Sequence, residues 1–286
     1  MNSNNSLAPI VAWIEESPTG NTLHIESNYT IFADDSVYTF GNFLNLESII
    51  FNNFNTKNVT DMSSMFNEYT NLKKLSLDNF DTSNVTNMSR MFRCCRNIET
   101  LNLRHFNVSN VTNFALMFSM YNGDSKLTTI LLNNWNTSKC TNMQDMFNNC
   151  SNLSTLNLSS FNTKNVTRMA GIFINCSSIT NLDLGNFDTT NVTTMYRMFD
   201  NCSSLNNLNI TSFNFKNCSS VSSMFNSCIN LKSLDFSSFD INEYHGKLSN
   251  SLFIGCGNLE IKVKNEETKS FILKTWGCPK TLSFIY

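Results

Sequence analysis

NLKKLSLDNFDTSNVTNMSRMFRCCR, residues 71–96, is the stretch whose reading decides the fold. Its apolar positions are Leu72, Leu75, Leu77, Phe80, Val85, Met88, Met91, Phe92 and Cys95. In the first half, Leu75 and Leu77 alternate with Ser76 and Asp78, which suits a short strand buried on one face. In the second half, Val85, Met88, Met91, Phe92 and Cys95 are spaced as one face of a helix of about three turns. Asp81, Thr82 and Ser83 stand ahead of it and can supply an N-cap oxygen. The unit reads as a strand, a tight corner and a short helix.

The unit recurs along the chain. Aligned on its late Phe, it places Phe66, Phe92 and Phe118 in one column, followed by Phe147, Phe173, Phe199, Phe225 and Phe253. The steps are 26 residues except for one of 29, whose extra residues fall in Tyr121–Ser125, and a last one of 28. Three more columns keep register. The strand column runs Leu75, Leu101, Ile130, Leu156, Leu182, Leu208 and Leu234. The corner column runs from Phe54 and Phe80 through Trp135 to Phe239, and the Val85 column admits Cys140 and Cys218 as small hydrophobes.

One such coil cannot bury its own apolar side, whereas stacked coils bury one another's. The expectation is an α/β fold: a leucine-rich-repeat-like solenoid with one short parallel strand and one short helix per 26-residue repeat, about eight repeats, and terminal caps. The divisions are residues 1–42, an N-terminal cap with a degenerate repeat; 43–256, the solenoid; and 257–286, a C-terminal cap. Strands at ~4.8 Å spacing beside helices at ~8–10 Å would bend the stack, with the helices on its convex side.

Both ends carry shielding features. Leu23, Ile25 and Phe40 stand 26 residues ahead of Ile49, Phe51 and Phe66, and Asp34–Phe40 reads as a cap helix. At the far end Leu259, Ile261 and Val263 alternate as a last strand, with Lys262 and Lys264 as charged defence of an exposed edge. Residues 265–275 read as helical, and Trp276–Tyr286 as a cover for the last coil.

Composition narrows the function. The net charge of −2 and the 15% charged residues argue against nucleic acid, which needs clustered Lys and Arg. No apolar run is long enough for a membrane helix. No Lys or Arg precedes Lys57, so the basic region of a secretion signal is not seen. By residues alone a cytoplasmic location therefore remains open. His24, His105 and His245 lie in different units, and no P-loop, nucleophile elbow or zinc-protease helix occurs. We expect neither catalysis nor a cofactor.

The repeated polar and thiol motifs read as structure. Cys95, Cys150, Cys176, Cys202, Cys228 and Cys256 supply one thiol per coil, without the paired spacing of a metal site. They read as reduced packing residues. Asn-Val-Thr at Asn58, Asn84, Asn110, Asn165 and Asn191 matches a glycosylation sequon, but its fixed place favours corner hydrogen bonds. The threonine column from Thr60 to Thr193 is set apart from ice-binding ladders because it begins a helix rather than a flat strand.

The strand positions between the leucines are free of core duty. They form the columns Ile50, Ser76, Asn102, Leu131, Asn157, Asp183, Asn209, Asp235 and Asn52, Asp78, Arg104, Asn133, Ser159, Gly185, Thr211, Ser237. Most are small, polar and uncharged, without the Trp, Tyr and Arg anchors of tight hot spots. The exception is the first third, where Lys73, Lys74, Asn102, Arg104, His105 and Leu131 form a mixed basic and apolar patch. This is the expected docking site for a protein or glycan partner.

FDTSNVTNMSRMF (80–92) and NFDTTNVTTMYRMFDNCSSLNNLNI (186–210), with the repeated FxTxNVTxMxxMFxxC, resemble the repeat of BspA-like leucine-rich-repeat surface proteins over residues 43–256. The resemblance implies a solenoid, a role in adhesion or host interaction, and a location at the cell surface or outside the cell. It brings no catalytic residues. An intracellular scaffold or effector of the same fold is the alternative.

Overall fold

The computed structural model describes residues 11–18, 20–26, 46–52, 54–120, 125–246, 251–275 and 283–285. In chain order its elements are β1 (Val11–Glu15), β2 (Asn21–Glu26), β3 (Leu46–Asn52), β4 (Lys74–Leu75), β5 (Thr100–Asn102) and β6 (Thr129–Leu131). Then come β7 (Asn181–Asp183), β8 (Asn207–Asn209), β9 (Ser233–Asp235), β10 (Glu260–Lys262), the helix α1 (Glu266–Thr275) and β11 (Ser283–Ile285). All pairings are parallel except that β1 runs antiparallel to β2.

The pairings carry the leucine column from coil to coil. Leu23 lies beside Ile49, Ile49 beside Leu75, Leu101 beside Ile130, Leu182 beside Leu208 and Leu234 beside Ile261. A single bridge, Thr129 to Thr155, carries the ladder into the coil of Leu156, which forms no named strand. From Leu23 to Ile261 the chain makes about nine turns rather than the eight repeats expected. The sequence count began at the first well-formed unit, whereas the strand at Leu23 already belongs to the stack.

The expected helix in each repeat is not formed; among the described residues α1 is the only helix. Its place is taken by a ladder of tight turns. Met88, Arg90, Phe92 and Cys94 donate their N–H groups to the carbonyls of Asn113, Ala115, Met117 and Ser119 on the next coil, at 2.9–3.0 Å. Met91, Arg93 and Cys95 donate back three residues within the coil. The third residue of alternate turns has positive φ, as at Arg90 (58°) and Cys94 (60°), where type II turns require it. The same pair of positions recurs at Ser64 and Glu68, Asp145 and Asn149, Gly171 and Asn175, and Arg197 and Asn201.

A physical reason favours turns over helices here. A helix would hold neighbouring coils ~8–10 Å apart on one side, while the strands hold them at ~4.8 Å. The turn ladder bonds coil to coil on both sides, so one spacing serves the whole coil. The mismatch that would have bent the stack is therefore gone. The inward positions are the same in either backbone: Val85, Met88, Met91 and Phe92 are fully buried.

The core is built of repeating stacks. Rings of Phe66, Phe92, Phe118, Phe147, Phe173, Phe199, Phe225 and Phe253 lie nearly parallel, with centroids 5.4–5.8 Å apart and planes within 2–11°. That separation exceeds the ladder spacing, so the rings are offset, the arrangement that aromatic quadrupoles favour. Burying each ring contributes ~1.5–3 kcal/mol.

Corners are held by short polar side chains. Asp81, Thr82 and Ser83 cap no helix. The Asp81 carboxylate accepts the Ser83 N–H at 2.9 Å, and the buried Thr82 hydroxyl donates to the Asn107 carbonyl at 3.0 Å. The hydrogen bonds from Ser83 hold the Asp81 carboxyl below its usual range. The threonine column lies in a parallel ladder, not at a helix start: Thr86, Thr112, Thr141, Thr167 and Thr193 each donate a hydroxyl to the preceding coil's threonine carbonyl at 3.0–3.2 Å. Asn84, Asn110, Asn165 and Asn191 donate their amides backward at 2.7–2.8 Å, so the Asn-Val-Thr motif clamps successive coils.

At the ends, α1 falls where a helix was expected. The last strand is β11, not β10, so Lys262 and Lys264 do not guard an edge. Instead they pair with Asp235 at 3.1 Å and Asp240 at 2.6 Å. Asp34–Phe40 and most of Trp276–Tyr286 lie outside the described residues, as does Cys278.

Candidate functional site

The strand face is the surface that the core leaves free. Asn102, Asn157, Asp183 and Asn209 are exposed, while Leu101, Leu158, Leu182 and Ile210 beside them in sequence are buried. These side chains are also occupied locally. Asn102, Asn157, Asp183, Asn209 and Asp235 each accept the backbone N–H two residues on, at 3.0–3.4 Å, turning the chain after the strand. Asn209 donates to Asp183 at 2.8 Å and Asn207 to Asn181 at 2.5 Å, linking coils across the face. The preference for Asn and Asp in this column therefore has a structural cause.

The residues expected to form the docking patch divide into two groups. Asn102 lies beside Leu131 in the ladder, and the Arg104 Nε donates to Asn133 Oδ1 at 3.3 Å, so Asn102, Arg104 and Leu131 are brought together. Lys73 and Lys74 lie at the other margin of the face. Lys74 is paired in register with Ser48, and the Lys73 Nζ is 2.7 Å from Glu47 Oε1. From the Lys74 position to the Arg104 position is four residues along the strand direction, ~13 Å at ~3.3 Å per residue. His105 holds its Nε2 2.8 Å from the Leu77 carbonyl and sets its ring edge-on to Phe106 at 4.9 Å, tying it to the scaffold.

Two shallow depressions continue from Leu131 toward the later coils. One, of about 260 Å³, is lined by Thr129, Leu131, Leu156, Asn157 and Asn181. The second, of about 360 Å³, is lined by Asn181, Asp183, Leu208, Asn209 and Asp235. They meet at Asn181 and make one trough with half-buried Leu156 and Leu208 in its floor. Burial raises the Asp235 carboxyl, but hydrogen bonds from Ser237 and Lys262 bring it below its usual range, so it is ionised at neutral pH. Asn157, Asp183, Asn209 and Asp235 are visible in the sequence columns. What the sequence does not show is that Leu156 and Leu208 stay partly open, since identical leucines in other coils are closed.

The cysteine column is inside. Each column thiol from Cys150 to Cys256 donates to the carbonyl of the preceding coil's stacked Phe at 3.1–3.2 Å. Burial raises the thiols of Cys150, Cys176, Cys202 and Cys228, and it pushes Cys140 up to about 12 and Cys218 to about 11. They are protonated and unreactive in the fold. None of the nine described cysteines is in a disulfide. Among the described residues no group of three or more His, Cys, Asp or Glu side chains is placed to hold a metal ion, and no helix is long and apolar enough to cross a membrane.

Stacked parallel coils, a turn ladder and a free strand face define the class: a β-solenoid repeat protein. The chain belongs to the family described as "Mycoplasma protein of unknown function, DUF285", whose model matches residues 35–126 and again 117–239. No curated protein matches it. Among solved structures, one similar chain is from the "Crystal structure of TLR13-ssRNA13 complex", at 12% identity and a TM-score of 0.22 over 84% of this chain. This chain spans 50% of the length of that one.

Proposed function

We propose that the chain is a non-enzymatic binding module of the BspA-like kind, and that it engages a protein or glycan through its strand face in adhesion or partner recognition. The observation that carries this reading is the division of labour along each strand: leucines go inward on every coil, leaving a continuous outward trough that the core does not need. Arg104 adjoins that trough through Asn133 and Leu131, and Lys74 stands at the other margin of the same face. Small polar rims and a modest apolar floor suit modest affinity per site, with avidity gained from several copies.

The test begins with binding of the full chain to immobilised glycans and to cell-surface proteins, followed by titration of whatever binds. The variant Lys74→Ala, Arg104→Ala, His105→Ala should weaken that binding at least tenfold with an unchanged circular dichroism spectrum. Unaltered affinity places the site elsewhere. Location in the cell then separates an adhesin from an intracellular scaffold, and fractionation of the native protein reads it.

A further inference from the structure

The stack exposes apolar side chains at its ends. Trp13, Ile14 and Ile50 are exposed at the first strand levels, and Ile229, Ile254, Leu273 and Ile285 at the last coils and cap. Among the described residues only Tyr196 is a large exposed hydrophobe in the middle. Ile14 is informative because of its column. It lies opposite Leu23, which is paired with Ile49, so Ile14 is the next member of the buried leucine column, yet it is 44% exposed. Trp13 lies opposite His24 on the outward face, stacked on its ring at 4.8 Å, and is 42% exposed.

The other end mirrors this arrangement. On β11, Phe284 lies beside Ile261 and continues the same inward column, half-buried. Ile285 lies beside Lys262 on the outward face, 43% exposed. Among the described residues β1 pairs only with β2 and β11 only with β10, so each presents an outer edge able to accept a further strand.

We propose that a second copy of this chain docks end to end, with β11 of one copy adding to β1 of the next. Strand direction sets the geometry. β11 runs with the stack and β1 runs against it, so the junction between two copies aligned along one axis is antiparallel. Antiparallel pairing with Phe284 opposite Ile14 puts Ile285 opposite Trp13 and Ser283 opposite Glu15. Inward residues then meet inward residues, and outward apolar residues meet each other. A register shifted by one residue would break both matches. Charge favours the same union. Residues 1–56 carry six carboxylates and no Lys or Arg, whereas residues 257–286 carry five lysines against three glutamates. Such an interface joins two different surfaces, so it propagates rather than closing as a dimer.

The experiment uses sedimentation equilibrium on the full chain and two variants, Ile14→Lys and Ile285→Lys, both at exposed positions where folding survives the change. The unaltered chain should show an average mass above 32.5 kDa that rises with concentration and falls with added salt. Each variant alone has one end blocked and should remain a monomer. Mixed, the intact tail of Ile14→Lys meets the intact head of Ile285→Lys, and the mixture should form a dimer and nothing larger. A monomeric unaltered chain overturns the proposal, as does a mixture that stays monomeric. Association of either variant alone at the unaltered level also overturns it, because it points to a different surface.

Discussion

At the scale of the residue, the repeat columns divide into rings that stack, thiols that bond and amides that clamp. The ring columns were legible as core, because an aromatic at the same place in every coil marks a position that each coil buries. Phe161 is buried at 3% exposure against Trp135, with ring centroids 6.1 Å apart. Phe161→Ala should therefore cost ~3–5 kcal/mol in urea unfolding, and a loss below ~1 kcal/mol would mean that this column faces solvent. The thiols make a pH prediction. In the unfolded chain they ionise near pH ~8.5, while in the fold burial keeps the proton on. Their contribution is complete below that pH. Above it, the unfolded state binds fewer protons than the folded one, and stability falls by ~1.4 kcal/mol per pH unit for each such thiol. Urea midpoints between pH 7.5 and pH 10 should decline steeply, and less steeply with Cys202→Val and Cys228→Val. Equal slopes would show that these thiols reach solvent. Thiol titration should likewise find the nine described cysteines silent in the native protein and all reactive in denaturant.

The element scale is where sequence and structure part. The spacing of Val85, Met88, Met91, Phe92 and Cys95 specifies which side chains face inward, and it did so correctly. It does not specify the backbone that delivers them, because a run of three-residue turns meets the same positions as a helix. The discriminating signal lay elsewhere, in Asn149-Cys150, Asn175-Cys176 and Asn201-Cys202. Asn stands there at the left-handed position, which it tolerates better than most residues. Gly171 and Gly255, with φ of 65° and 75°, mark the same ladder. A direct test uses Arg90, exposed and at φ 58°. In a turn, Arg90→Gly relieves a strain of ~1–2 kcal/mol and should be neutral to stabilising, whereas Arg90→Val should destabilise by about that amount. In a helix the glycine would instead cost ~0.5–1 kcal/mol. The sign of the Arg90→Gly change decides between the two backbones.

For the whole molecule, the repeat made the solenoid readable and the ends difficult. A coil in the middle is defined by two neighbours that share its pattern, while an end coil is defined by what shields it. That is why β11, outside any repeat register, could not be foreseen, and why β10 was taken for the edge. The candidate patch was readable only as composition. Lys74 and Arg104 share a patch by composition, but four residues of strand separate their positions, and His105 is tied to Leu77. The described residues contribute helix equivalent only to the ten residues of α1 and otherwise strand and turn, so far-UV circular dichroism should show strand and turn dominating. A spectrum with a third of the chain helical would restore a helix in each repeat.

The coil-to-coil threonine bonds also bear on how such a chain can change length. Four of the five join residues 26 apart, as Thr86 to Thr60 and Thr193 to Thr167, and Thr141 to Thr112 spans 29. Every ring, thiol and amide column has the same period over those coils, so excision of one whole period returns the chain to phase with itself. Loss of residues 164–189 joins Thr163 to Thr190 and leaves a protein one coil shorter with each column continuous. Removing one residue fewer or more turns inward side chains outward along every later strand. For this architecture, insertion and deletion are quantised: a whole coil can be gained or lost with every column in phase, while a single-residue change inside the ladder breaks the register of the coils that follow. Across the 29-residue step the columns stay in phase, with Thr141 donating to Thr112 as its counterparts do at 26.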